Sequence, residues 1–579
     1  MANPRYLGSL LIAIACLPGA ASGSEPGKVL VKGKRDAAEV VIKGVRDPSA
    51  WVRIESRHLI VYTDGDPEQA VELVNNLERL DYVLRMYLQP FLVRQAEPPR
   101  FTLYFQHRLD WAPGLGDFAV EATGMVDSCV SGTQAFTFDQ GRMWKSTNAS
   151  LLKDEGDFTL STIFALYSDN FLYRHTDIRG PEWFMQGFKI YFGGVRFTDN
   201  QMAVGRPADA TAEVMKFLDY GEGLQLYFLT YDQVLRKDVP KDFFSHLKRA
   251  ERKTAAYRAQ AEFQSRAFNL MHYMLSSAEH RDKMARYLEL VNNGSDGGAA
   301  FADVFGLSGE ALNTALWHYR RVLMNIIKVD FPELPAARIG INRLSRIEGD
   351  FVLDNAVLKA CPSPENGRKL LQRVQAAAAG APAVDLAQVT LRRAQVDWGD
   401  PRDAIPWLTE AVGRDPYNEE LHYLLGLAHL KLADGASGDK PALLARARAS
   451  LTEAAALAPG TPAIAYALFR TGIMDPATPP ETLLKNTMPL AIDAWRQGHD
   501  VAAFARAAAL AHAWQGDAAG AYRAFNTLAR NGHDPHNAAW AVQWLALLEK
   551  GVTRDRLLTA MRNEPFAPPS FRQTSGDAR

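Results

Sequence analysis

Residues 159–192 read TLSTIFALYSDNFLYRHTDIRGPEWFMQGFKIYF. Two segments with helical apolar spacing flank a polar turn that closes on Arg179, Gly180 and Pro181. A proline just ahead of Glu182 suits the first turn of a second helix, because its missing N–H is one that a helix start leaves unpaired anyway. Two helices meeting at a polar turn make this the expected place for an active site.

The stretch resembles the gluzincin, or peptidase MA-like, metallopeptidases of bacterial envelopes. Members carry an HExxH helix, a short loop and then P-x-W-x-x-E-G-x-A-E-Y-F, whose first Glu is the third zinc ligand. Tyr167, Phe171 and Leu172 fit the first helix, and Pro181, Trp183, Gly187, Tyr191 and Phe192 fit the second. Further on, 263–275 (FQSRAFNLMHYML) resembles the helix in which the family often carries a Ser and a His-Tyr pair, here Ser265, His272 and Tyr273. Gln201 to Pro207 resembles the family's short strand and turn, and Phe301, Phe305, Gly306 and Tyr319 fall at positions it tends to fill. The resemblance runs over roughly residues 55–325.

The reacting groups are missing. HExxH binds zinc because two imidazoles four residues apart share a helix face, while the intervening Glu activates the bound water. The corresponding residues are Ala165, Leu166 and Asp169, and the third-ligand position holds Gln186. A methyl cannot bind a metal, a leucine cannot take a proton, and a neutral amide is a poor zinc ligand. The resemblance therefore implies a metallopeptidase scaffold without catalytic residues, zinc or any other cofactor, whose cleft would use Tyr167, Asp169, Trp183, Gln186, His272 and Tyr273 for binding. For His272, a buried core position is preferred to an oxyanion donor. One alternative stays open, a hydrolase with a rebuilt metal site around Asp169, His175 and Asp177, with Glu182 near by. A serine route has little support, since Ser168 and Ser265 lack a Gly-x-Ser-x-Gly setting.

At 579 residues the chain is too long for one core, and its 47% hydrophobic and 23% charged content is that of a folded protein. A net charge of -1 argues against bulk electrostatic binding of nucleic acid or of an anionic membrane. Residues 1–23 read as a secretory signal: Arg5, an apolar run from Leu10 to Leu17 too short to span a bilayer, then Pro18-Gly19 and small residues. A periplasmic or secreted protein without a transmembrane segment is expected, with acylation at Cys16 the lesser alternative. Cys129 and Cys361 would then remain; their long separation and placement in different domains point to free buried thiols rather than a bridge.

The fold expected is an α+β gluzincin-like half, a small mixed sheet with helices, followed by an all-α tetratricopeptide-like solenoid. Residues 24–50 read as a flexible basic lead or an irregular edge strand, and 51–328 as the peptidase-like domain. Within it, strands are expected at 58–63, 101–105, 124–127 and 135–138, and a long helix after Asp66-Pro67. The Pro- and Gly-punctuated 329–350 reads as a linker. In 351–564 a pattern recurs: Ala404, Leu408, Ala411, Pro416; Ala447, Leu451, Ala454, Pro459; and Ala521, Phe525, Leu528, His533. The first two sets lie 43 residues apart, about one tetratricopeptide period of 34 plus an excess placed in the polar stretch 434–441. Stacked helix pairs of this kind hold peptides on a concave face. Residues 565–579 read as a disordered tail. The functional expectation is an exported pseudopeptidase or adaptor that binds a peptide or protein partner, within an envelope complex; a purely structural envelope component is the remaining alternative.

Overall fold

The computed structural model describes residues 28–30, 39–43, 47–95, 98–107, 124–139, 158–198, 200–207, 229–236, 249–330, 337–379, 385–435, 439–531 and 534–564. The signal-like segment, the Gly-rich turn at 113–116 and the tail from 565 lie outside them. The N-terminal half is mixed α+β and the C-terminal half is mostly helices.

Eight strands build one mixed sheet: β1 (Lys28–Leu30), β2 (Glu39–Lys43), β3 (Pro48–Glu55), β4 (Leu59–Thr63), β5 (Phe101–Gln106), β6 (Gly124–Cys129), β7 (Gly132–Phe138) and, from far along the chain, β11 (Ile339–Ser345). Their order across the sheet is β1-β2-β11-β3-β4-β5-β7-β6. Three short strands, β8 (Arg196–Phe197), β9 (Gln201–Val204) and β10 (Ile327–Asp330), make a second sheet. One sequence expectation is corrected and one open reading is decided. Residues 24–50, read as a lead or an edge strand, contribute β1 at the sheet's edge and β2 beside it, and the supposed linker contributes the end of β10 and all of β11, the latter hydrogen-bonded between β2 and β3. Period-two alternation is hard to see in β11, IGINRLS, because polar and apolar residues share both faces and its place is fixed by neighbours distant in sequence.

Both faces of the sheet are covered. On one side, Val52, Ile54, Leu59, Val61 and Leu103 pack against α1 (Pro67–Leu88), which Asp66 caps through a hydrogen bond from the Glu68 N–H, and against α2 (Phe158–His175). On the other, Tyr62, Tyr104 and Phe136 stack in a row across β4, β5 and β7, with ring centroids 5.0 and 5.2 Å apart. That row is roofed by the first three helices of the C-terminal half, α9 (Arg346–Lys359), α10 (Pro364–Ala378) and α11 (Asp385–Trp398). The two halves thus share the core on this face of the sheet. Glu420, on the later helix Glu419–Gly435, ties that helix to the roof, accepting from Arg393 on α11 at 2.7 Å and lying 3.6 Å from Lys359 on α9.

Among the described residues, six helices follow α2 in the N-terminal half: α3 (Glu182–Gly193), α4 (Tyr231–Arg236), α5 (Arg249–Leu275), α6 (Ala278–Asn292), α7 (Gly297–Phe305) and α8 (Gly309–His318). The expected amphipathic pair α2 and α3 is buried almost all round, because sheet, α5 and the C-terminal helices press on different sides. Gly187 permits this: a Cβ there would sit 2.5 Å from the Ala267 carbonyl oxygen on α5.

Beyond α11 the helices run α12 (Ile405–Arg414), α13 (Glu419–Gly435), α14 (Lys440–Leu457), α15 (Pro462–Met474), α16 (Met488–Gln497), α17 (Ala502–Gln515), α18 (Ala518–Ala529), α19 (Pro535–Glu549) and α20 (Arg554–Asn563). The three recurring triplets at 404–411, 447–454 and 521–528 are all buried. The extra residues between the first two sets do not all make a loop: α13 and α14, at 17 and 18 residues, carry part of them as added helix. Gly426 lets this pair close up, since a Cβ there would meet the Leu451 side chain at 2.6 Å.

Candidate functional site at the junction of the two halves

Ala165, Leu166 and Asp169, which the sequence comparison set against HExxH, occupy the packed seam of α2. Leu166 lies against β6, its Cδ1 only 2.7 Å from where a Cβ on Gly124 would stand. Ala165, one residue and about 100° away on the helix, turns instead to α3, its Cβ 3.2 Å from where a Cβ on Gly193 would stand. Gln186 is seven residues before Gly193 and so shares that face of α3. Its Oε1 and the Oδ1 of Asp169 are buried with no hydrogen-bond partner.

The six residues expected to line a binding cleft do not converge on one. The Tyr167 hydroxyl donates to Asp81 of α1 at 2.7 Å, and the Trp183 Nε1–H donates to the Tyr287 hydroxyl at 3.1 Å. His272 is buried, with Nδ1 2.7 Å from the Tyr319 hydroxyl, and burial lowers its pKa to about 4. Tyr273 packs among His280, Phe305 and Tyr319. These side chains hold helices together, as aromatic spacing on a buried helix usually does.

The rebuilt metal site is corrected as well. His175 Nδ1 bonds Gln95 Oε1 at 2.7 Å and its ring lies 4.4 Å from Phe171, whereas Asp177 faces the opposite half of the molecule. Among the described residues no three His, Cys, Asp or Glu side chains are grouped to hold a metal ion.

The turn between α2 and α3 is instead a docking point for the C-terminal helices. Asp177 accepts from His499 Nε2 and from Arg523 Nε, each at 2.7 Å. A carboxylate only accepts, so His499 carries its proton on Nε2. Burial pushes the Asp177 carboxyl up, but the His499 bond and the Arg523 charge outweigh it and hold it at about 2. His499 stacks on Trp495 at 4.5 Å, and Arg179 donates to its backbone carbonyl at 3.2 Å.

Next to it, Asp500 is buried inside the N-terminal half. Arg174 of α2 reaches it from Nε at 3.1 Å and Nη2 at 3.0 Å, and the Ser128 and Thr133 hydroxyls donate at 2.6 and 2.7 Å. Asn170 adds a bond at 3.2 Å. Burial would raise the Asp500 carboxyl, yet Arg174 and these donors keep it well below the ordinary carboxylate range. Ser128 and Thr133 flank the tip of the β6–β7 hairpin, whose Val130 packs on the C-terminal helices. Cys129 in the same hairpin forms a disulfide with Cys361, just after α9, across a Cα–Cα distance of 6.0 Å. The expectation of free thiols is thus overturned, because the sheet edge and the helical roof bring together positions 232 residues apart.

Beside this junction a cleft of about 1130 Å³ opens between the halves. Arg94, Asp177, Arg286 and Glu289 line it from one side, and Trp495, Arg496, His512, Asp517 and Arg523 from the other. Its walls carry both charge signs and two large aromatics, Phe91 and Trp495, a lining suited to an extended ligand with polar and apolar groups. Sequence reasoning placed only Asp177 here. The pair His499-Asp500 gives one local signal, and it misleads: an Asp just before an alanine-rich helix reads as a helix cap, yet its side chain makes no cap bond to α17. The chain matches no protein-family profile, no curated protein and no solved structure. Among the described residues no helix is long and apolar enough to cross a membrane.

Proposed function

We propose that this chain is an exported, gluzincin-like pseudopeptidase with a tetratricopeptide-like helical half, and that it holds a segment of a protein partner without hydrolysing it. The observation that carries the reading is the set Ala165, Leu166, Asp169 and Gln186 at the positions where the resemblance puts two His, a Glu and a third ligand. None of these supplies a water-activating base beside a metal, and Leu166 and Ala165 are used for packing against β6 and α3. The reading places the partner segment in the junction cleft, where backbone and mixed-charge side chains of a peptide find Arg286, Arg496 and Glu289. A disulfide between distant segments fits passage through an oxidising compartment.

The test uses the full-length protein, a library of extended peptides and mass spectrometry. Peptides are expected to be retained intact, and Arg286→Glu with Arg496→Glu, both exposed, is expected to weaken acidic members by roughly tenfold through lost charge complementarity. Cleaved peptides, or retention indifferent to both reversals, would overturn the proposal.

A further inference from the structure

A buried arginine ordinarily sits opposite a carboxylate, and Arg470 of α15 does not. Its side chain is 1% exposed, and Nη1 donates to the Met561 carbonyl in the last turn of α20 at 2.8 Å. Nε and Nη2, the forked edge with which a guanidinium grips an acid, are buried without a partner. Arg506 of α17 is buried beside the same small cavity. Its Nη1 donates to Asn537 Oδ1 at 2.9 Å, its Nη2 meets the Glu564 carboxylate at 2.5 Å and its guanidinium lies over the Trp540 ring at 4.2 Å, which leaves Nε unpartnered.

The cavity has a volume of about 10 Å³, and among the described residues both arginines line it with Tyr466, Leu510, Met561 and Glu564. Glu564 is the one carboxylate of that lining, and Arg506 holds it. Asp534 accepts from the Asn537 amide, not from either guanidinium. Two cations therefore share one anion. An unpaired buried charge is costly, and an arginine does not shed its charge by losing a proton. A water in the cavity would give the N–H groups an acceptor and leave the charge in place, whereas a small anion supplies both. The volume admits one particle of about the size of a water, which suits a halide ion and excludes a whole phosphate or carboxylate group.

We propose that this cavity binds one chloride ion through Arg470 Nε and Nη2 and Arg506 Nε, and that the ion joins α20 to α15 and α17. The site shares no lining residue with the junction cleft and does not depend on what the cleft holds.

Crystals of the full chain grown in sodium bromide test this directly, because bromide scatters anomalously. A bromide peak is expected between the two guanidinium groups. In solution, urea midpoints in sodium chloride are compared with those in sodium gluconate at equal ionic strength, the gluconate anion being too bulky for the cavity. Chloride at about ten times its Kd is expected to raise the ratio of folded to unfolded protein about elevenfold, and the rise should saturate. Arg470→Met, which replaces the buried charge with an apolar chain, is expected to fold and to lose the chloride effect. No bromide between the arginines, equal midpoints in the two salts, or an undiminished chloride effect in Arg470→Met would each overturn the proposal, and the first two outcomes are read on the wild-type protein alone.

Discussion

Asp500 is an acid that the C-terminal half places inside the N-terminal half, where Arg174 neutralises it and Ser128, Thr133 and Asn170 satisfy its oxygens. Removing one member of a buried pair leaves the other charged and unsolvated. Asp500→Ala is therefore expected to cost about 3–5 kcal/mol in urea unfolding; a loss below ~1 kcal/mol would contradict the buried pairing. The neighbouring pair sets an acid limit. Burial keeps the His499 pKa below its ordinary 6.5 when folded, so the unfolded chain takes up a proton first as pH drops. Its contribution is complete above 6.5 and is lost as pH falls through that value. Asp177 acts in the same direction lower down, its contribution lost between 3.8 and about 2. The urea midpoint is expected to fall from pH 7.5 to about pH 5, and His499→Gln should flatten part of that slope, the other buried histidines giving the rest. A midpoint that rises on acidification would contradict this.

At the scale of elements, the β6–β7 hairpin joins sheet to helices. Its tip offers Cys129 to Cys361, Val130 to two helical clusters and Thr133 to Asp500. A bridge closing a loop of 232 residues restricts the unfolded chain strongly. Replacing both cysteines by serine is expected to lower stability by about 2–5 kcal/mol, read as a shift in urea midpoint. Thiol titration of the denatured, unreduced protein should find both cysteines blocked. Helix α1, strands β4 to β7 and the helical character of the C-terminal half were legible because each rests on local spacing of apolar residues. Strand β11 was not legible, because its pairing with β2 and β3 is made by residues some 300 positions away.

For the whole molecule, the boundary expected at residue 350 proves to be no boundary. β11 completes the sheet, and α9 to α11 cover the row formed by Tyr62, Tyr104 and Phe136. Fragments 1–350 and 351–579 are each expected to be insoluble or to lack a cooperative unfolding transition when made alone, because each exposes half of a shared core. Co-expression should recover a soluble complex. Two separately soluble fragments with sharp transitions would show that the halves are independent.

The sequence by itself determined the coarse class, mixed α+β and then helices, and it determined that Ala165 and Leu166 bring no ligating atoms to α2, since an alanine or leucine lacks them in any fold. The site residues Arg174, Asp177, His499, Asp500 and Arg523 were decided only by tertiary structure. Their side chains pair across more than 300 residues of chain. No periodicity or spacing encodes such a pairing, because it exists only once the helical half has folded back onto the sheet.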